Sequence, residues 1–135
     1  MIVLDENIQD YELADLIAKW YSGQVVSVKN LRPTTLIKDD GIATLLRAAN
    51  NPAFVTINVK DFWQQFRADQ RYCVIALLLR QEQARQISAT LRSLFSLPEF
   101  RTKANRMGKI VYLRPSRLEY YTIDRQIHYL PWPPE

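Results

Sequence analysis

Six oxygen-bearing side chains stand just past apolar stretches or just ahead of one. Asp5 and Glu6 follow Met1-Ile-Val-Leu4, Asp39 and Asp40 precede a helical pattern, and Asn58 and Asp61 follow the run from Ala53 to Ile57. Carboxylates that meet at one spot repel one another unless a cation or shared protons compensate. Hard divalent ions such as Mg²⁺ and Mn²⁺ are held by one or two carboxylates, with waters and substrate phosphates completing the shell. An ion held in this way polarises a phosphoryl oxygen, activates water and stabilises the leaving alkoxide. The chemistry implied is phosphodiester hydrolysis. Some of these acids also have a structural use. Asp39 or Asp40 can cap the helix that follows, and Asp61 can start a helical turn over Phe62–Phe66. Asp5 has few such uses, because it comes directly after a short buried strand.

The elements that must bring these residues together alternate in period. Ile2–Leu4 reads as a strand. Residues 10–21 place Leu13, Leu16, Ile17 and Trp20 on one helical face, with Gly23 as the stop. Val25–Leu31 reads as a second strand closed by Pro33. The next helix presents Ile42, Leu45, Leu46 and Ala49 and ends at Asn50-Asn51-Pro52. A strand over Ala53–Val59 and the unbroken apolar run Tyr72–Leu79 follow, and such runs suit the middle of a parallel sheet covered on both faces. Gln81–Phe95 is a helix with Ala84, Ile87, Leu91, Leu94 and Phe95 inward. A basic segment after Pro98 leads to a strand at Lys109–Leu113, a turn at Arg114–Arg117 and a final strand region over Leu118–Leu130. The expected class is α/β. In such sheets ligands bind outside the carboxyl ends of the strands, near a topological switch point, so Asp5 and the Asn58/Asp61 pair can converge.

At 135 residues and 47% hydrophobic, with three glycines, the chain suits one domain with one core, ending in a proline-rich tail at 128–135. No basic region precedes the first apolar run, and Tyr72–Leu79 is too short to span a bilayer, so no leader and no membrane partner are expected. A single cysteine gives no disulfide framework and no thiolate zinc site, which makes a reducing cytoplasm the expected compartment. The net charge of +4 is unevenly spread: residues 1–79 balance at −1 and residues 80–125 at +6. Such asymmetry fits a polyanion, nucleic acid first, and it equally fits an ordinary solvated basic surface. Arg80, Arg85 and Arg92 are the candidate phosphate contacts. Arg85 and Arg92, seven residues apart, share a helical face.

The segments LDEN (Leu4–Asn7), DDGIATLLRAA (Asp39–Ala49) and FVTINVKDF (Phe54–Phe62), taken in that order, resemble PIN-like domains. The likeness is to the short single-domain bacterial and archaeal PIN-like proteins, related to the ribonuclease toxins of toxin–antitoxin pairs. The later strand, long helix and KIVYLRP (Lys109–Pro115) match in order, so it spans nearly the whole chain. The resemblance implies a PIN-like three-layer α/β/α sandwich with a mainly parallel central sheet, and a Mg²⁺- or Mn²⁺-dependent endoribonuclease. It implies catalytic Asp5, Asp40 and Asp61, with Asp5 as the central metal ligand and Asp39, Asp40, Asn58 and Asp61 as further ligands. It also implies RNA as substrate, an antitoxin protein as partner and a homodimer. The family pattern Thr-x-Asp-x-Asp-Phe is here Thr56-Ile-Asn58-Val-Lys-Asp61-Phe62, with an amide for the first acid and one residue more before the second. Asn58 ligates without charge, so the alternative is a module that kept the fold, lost the chemistry, and binds RNA or a protein partner.

His128 is the sole histidine, which excludes a two-histidine ribonuclease mechanism and a histidine-rich zinc site; it reads as a surface residue of the last strand. No phosphate-binding glycine loop is present. Phe62 and Trp63 can stack an unpaired base or simply pack against the sheet. Tyr120, Tyr121 and the Pro-Trp-Pro-Pro tail can form a partner contact or fold onto the sheet.

Overall fold

Ile2–Leu4 (β1) lies between two parallel neighbours, Val25–Ser27 (β2) on one side and Ala53–Thr56 (β3) on the other. Cys73–Leu77 (β4) and Ile110–Arg114 (β5) continue the parallel sheet, and Arg117–Tyr121 (β6) and Ile127–Pro131 (β7) extend it antiparallel. The strand order is β2-β1-β3-β4-β5-β6-β7. The computed structural model describes residues 1–8, 12–31, 39–62 and 66–134, and at 39, 40, 61 and 62 the backbone alone. The expected α/β class with a mainly parallel sheet is what the chain forms. No helix among the described residues is long and apolar enough to cross a membrane.

Alternation along the strands builds a core on each face of this sheet. Ile2, Leu4, Ala53, Val55, Cys73, Ile75, Val111 and Leu113 join one cluster, with Leu13 and Ile17 of Leu13–Ala18 (α1). Ile87, Leu91 and Leu94 of Gln86–Phe95 (α5) complete it. Val3, Phe54, Val74 and Ile110 join the other, with Ile42 and Leu46 of Asp39–Ala48 (α3). The five residues of β4 are all buried and the strand has a parallel neighbour on each side, as its unbroken apolar run requires. Trp20, Tyr21 and Phe95 meet edge to face, and Trp20 Nε1 donates to Ser88 Oγ at 2.9 Å, which ties α1 to α5.

Several element ends differ from the periodicity, each time because a side chain captures nearby backbone. The second strand stops at Ser27, whose Oγ accepts from Lys29 N at 3.3 Å; its own N–H donates to Asn30 Oδ1 at 3.2 Å, and Val28–Leu31 coils into a helical turn (α2). The third stops at Thr56 and gives way to a turn of helix at Val59–Phe62 (α4). In the long helix a 3₁₀ turn at Gln81–Gln83 comes first, with Gln83 Oε1 accepting from Arg80 N at 3.0 Å. The basic segment after Pro98 forms the short helix Lys103–Arg106 (α6), capped by Thr102 Oγ1.

The last strand region is two strands, reversed where Asp124 Oδ1 accepts from Gln126 N at 3.1 Å and Arg125 takes a φ of +65°. Residues 128–131 are thus part of an edge strand and not of a tail, and Pro131 sits where an edge tolerates it. Tyr120 and Tyr121 are core residues, 8% and 9% exposed. His128 is half-buried and stacks on Tyr120 at 4.9 Å, a closer engagement than a surface reading implies. Asp10, Pro33 and Trp63 lie outside the described residues.

Candidate functional site

The order of strands fixes where a ligand crevice forms. From β1 the chain moves outward to β2, then crosses back to β3 on the opposite side of β1, so the connections diverge between β1 and β3. A crevice opens at such a point beyond the carboxyl ends of the strands. Asp5 is the first residue past β1, and Thr56 is the last of β3.

The sheet register brings these two together. Leu4 pairs with Val55, and Asp5 N donates to Val55 O at 2.9 Å, which continues the ladder by one step. Asp5 has the parity of Val3, and Thr56 that of Phe54, so both side chains leave the sheet on the α3 face. There Thr56 Oγ1 donates to Asp5 Oδ2 at 2.7 Å and accepts from Asn58 N at 3.0 Å. Asp5 is 5% exposed and Thr56 is fully buried. A carboxylate so buried keeps its charge only where donors or a cation supply what water no longer does.

The loop after β1 holds a second buried oxygen. Ile8 N donates to Asp5 O at 3.0 Å, turning the chain back on itself, and Gln81 Nε2 donates to Asn7 O. The Asn7 Oδ1 atom is buried without a hydrogen-bond partner among the described residues. A buried amide oxygen two residues past a buried carboxylate is an oxygen of the kind hard cations take.

Topology carries the remaining predicted ligands to the same edge. α3 leads into the amino end of β3 and packs on the same face as Asp5, so it runs against the strands and begins at their carboxyl ends. Asp39 and Asp40 are its first residues, and Asp61 lies in α4 immediately beyond β3. The side chains of Asp39, Asp40 and Asp61 lie outside the described set, and among the described residues no three of His, Cys, Asp and Glu gather into a metal-holding group. Asn58 is half-buried beside Thr56, and Glu6 is exposed.

Of the candidate basic contacts, Arg80 and Arg85 stand near this edge, and both are ion-paired: Arg80 to Glu82 at 3.1 Å and Arg85 to Glu12 at 2.9 Å. Arg92 is exposed in the last turn of α5, about 10 Å further along the helix. Sequence reasoning did not single out Thr56 or Asn7 as part of the site. The signal was present in both cases: a hydroxyl at the last strand position before Asn58, and an amide two residues past Asp5. No family model, curated protein or solved structure matches the chain, so the site is read from its own geometry.

Proposed function

We propose that the chain is a divalent-metal-dependent nuclease with a PIN-like fold, acting as an endoribonuclease of toxin–antitoxin type. The observation that carries this reading is the buried Asp5 carboxylate, held by Thr56 at the point where the strand connections diverge. Asp5 would hold Mg²⁺ or Mn²⁺ together with Asp40 or Asp39 and Asp61, and Asn58 and Asn7 would add neutral oxygens. When bound, such an ion supplies Lewis-acid activation of a phosphoryl oxygen and of water. Thr56 fixes the orientation of Asp5, and the turn it forms with Asn58 presents the α4 segment to the crevice. Arg80, Arg85 and Arg92 would hold the RNA backbone by charge, once the surface pairs of Arg80 and Arg85 exchange for phosphate. An antitoxin protein and a second copy of the chain are partners this reading implies.

A second reading has its own support. Asn58 stands where the family pattern has an acid, and Asn7 is likewise uncharged, so the donor set is poorer in charge than a catalytic one. In that reading the chain is a weakened or inactive module that binds RNA or a protein partner.

Calorimetric titration with Mn²⁺, followed by an RNA cleavage assay, separates the two. The nuclease reading expects Mn²⁺ binding and cleavage, both lost in Asp5→Asn. Binding and cleavage unchanged by Asp5→Asn would remove its basis, and RNA binding without cleavage in the native chain favours the module.

A further inference from the structure

At the opposite edge of the sheet, beyond the amino ends of β3 and β4, lies a cleft of about 630 Å³. Its floor is Tyr72, which precedes β4, and Tyr121, which ends β6; both belong to the core on the α3 face. Their hydroxyls donate to the carbonyls of Arg67 and Phe66, which pins the 66–67 segment as one wall. Four guanidinium groups line the cleft: Arg47 from the last turn of α3, Arg67 and Arg71 from the approach to β4, and Arg125 from the β6–β7 turn.

The charge of this lining is unbalanced. Asp69 is the one carboxylate among the described lining residues, and Arg71 takes both of its oxygens, Nε to Oδ1 at 2.9 Å and Nη2 to Oδ2 at 2.8 Å. Arg47 bonds Thr44 Oγ1 at 3.2 Å, a neutral partner. Three positive charges are therefore left over around one concave surface. Guanidinium forks match phosphate oxygens in pairs, and clustering them without counter-charges costs free energy that a bound polyanion recovers. One wall is apolar: Ile123 is 50% and Ile127 42% exposed, and both line the cleft. The volume falls in the range of small-molecule sites, roughly 300–1,000 Å³. A ligand that meets all three features carries two or more phosphate charges and a flat, weakly polar part.

We propose that this cleft binds a nucleotide, its phosphates on Arg47, Arg67 and Arg125 and its base or sugar against Ile123 and Ile127. The site is separate from Asp5: it lies past the other end of β3, on the order of 10 Å away along that strand, and it needs no divalent ion. The nucleotide is either free or one unit of a single strand.

The test is calorimetry on the full chain in EDTA, with ADP and with single-stranded hexauridylate as probes. The expected result is binding of at least one probe, weakened at least tenfold by Arg47→Gln with Arg125→Gln. Lys29→Gln with Arg101→Gln removes the same charge elsewhere and changes the affinity less than twofold. ADP binding identifies a free nucleotide, and hexauridylate binding alone identifies a strand unit; each supports the proposal. Arg125→Gln alone, at an exposed turn, tests the same point should the pair unfold the chain, with a weakening of threefold or more. Failure of both probes to bind, or binding indifferent to these arginines, overturns the proposal. Because EDTA is present, neither result bears on the Asp5 reading.

Discussion

The Thr56 hydroxyl reaches across from the end of β3 to donate a 2.7 Å hydrogen bond to Asp5 Oδ2 at the end of β1. Fifty-one residues separate the two in sequence, and one step of parallel register closes that gap. The same oxygen of Thr56 receives Asn58 N–H, so one side chain fixes both the carboxylate and the first turn beyond the strand.

Thr56→Val keeps the shape and removes the hydroxyl. It deprives a buried carboxylate of a donor and Asn58 N of its acceptor, a loss of about 1.5–3 kcal/mol where a charged group is involved. Urea unfolding should show a lower midpoint with an unchanged slope. Thr56→Ser, which restores the hydroxyl, should recover most of the loss.

Leu46 of α3 is fully buried and shares with Val3 and Phe54 the core cluster on that face of the sheet. Leu46→Ala should cost about 2–5 kcal/mol through lost burial and an unfilled cavity. Because α3 carries Asp39 and Asp40 at its far end, the variant should also weaken Mn²⁺ binding if the helix start supplies ligands. Denaturation and calorimetry on the same preparation measure the two effects.

Burial pushes the Cys73 thiol up from 9.0 to about 12. The folded thiol stays protonated where the unfolded one ionises, so the folded state holds the extra proton and stability falls as pH rises from 9.0 toward about 12. A thiol–disulfide exchange reagent at pH 8 should leave the native chain unmodified and label it rapidly in denaturant. Prompt labelling of native protein would contradict the buried placement.

The Arg71 guanidinium holds the Asp69 carboxyl down from 3.8 to about 2. The ionised form is favoured by folding, so this contribution is present above pH 3.8 and is lost as pH falls toward about 2. Carbon-13 NMR titration of the Asp69 carboxyl should find its midpoint near 2. In Arg71→Gln the midpoint should return toward the ordinary range.

The sheet was largely legible in the sequence because unbroken apolar runs such as Tyr72–Leu79 have few alternatives to a buried parallel strand. The inward positions expected over Gln81–Phe95 were legible for the same reason: Ala84, Ile87, Leu91, Leu94 and Phe95 are all buried. Periodicity overran the ends at Ser27 and Thr56, where a hydroxyl or amide takes backbone partners from the ladder, an effect with no hydrophobic signature. At the tyrosine pair 120–121 alternation sends one ring into each core, so both are mostly buried. Asp5 could be singled out from its place after a short strand. Thr56 showed only a hydroxyl at a strand end, because its bond to Asp5 depends on register, which is set by contacts between segments distant in sequence.

β1 precedes both β2 and β3 in the chain but lies between them in the sheet, and this delays its pairing during synthesis. Ile2–Leu4 leaves the exit tunnel with no partner on either side, and its second neighbour is complete only when Thr56 has been added. Until then one side of an apolar segment waits unpaired, and non-local pairing of this kind slows folding and leaves early strands open to wrong contacts. Asp5 acquires the hydroxyl of Thr56 at that same moment, so the chain cannot assemble this edge of the sheet before the centre of the sheet is closed.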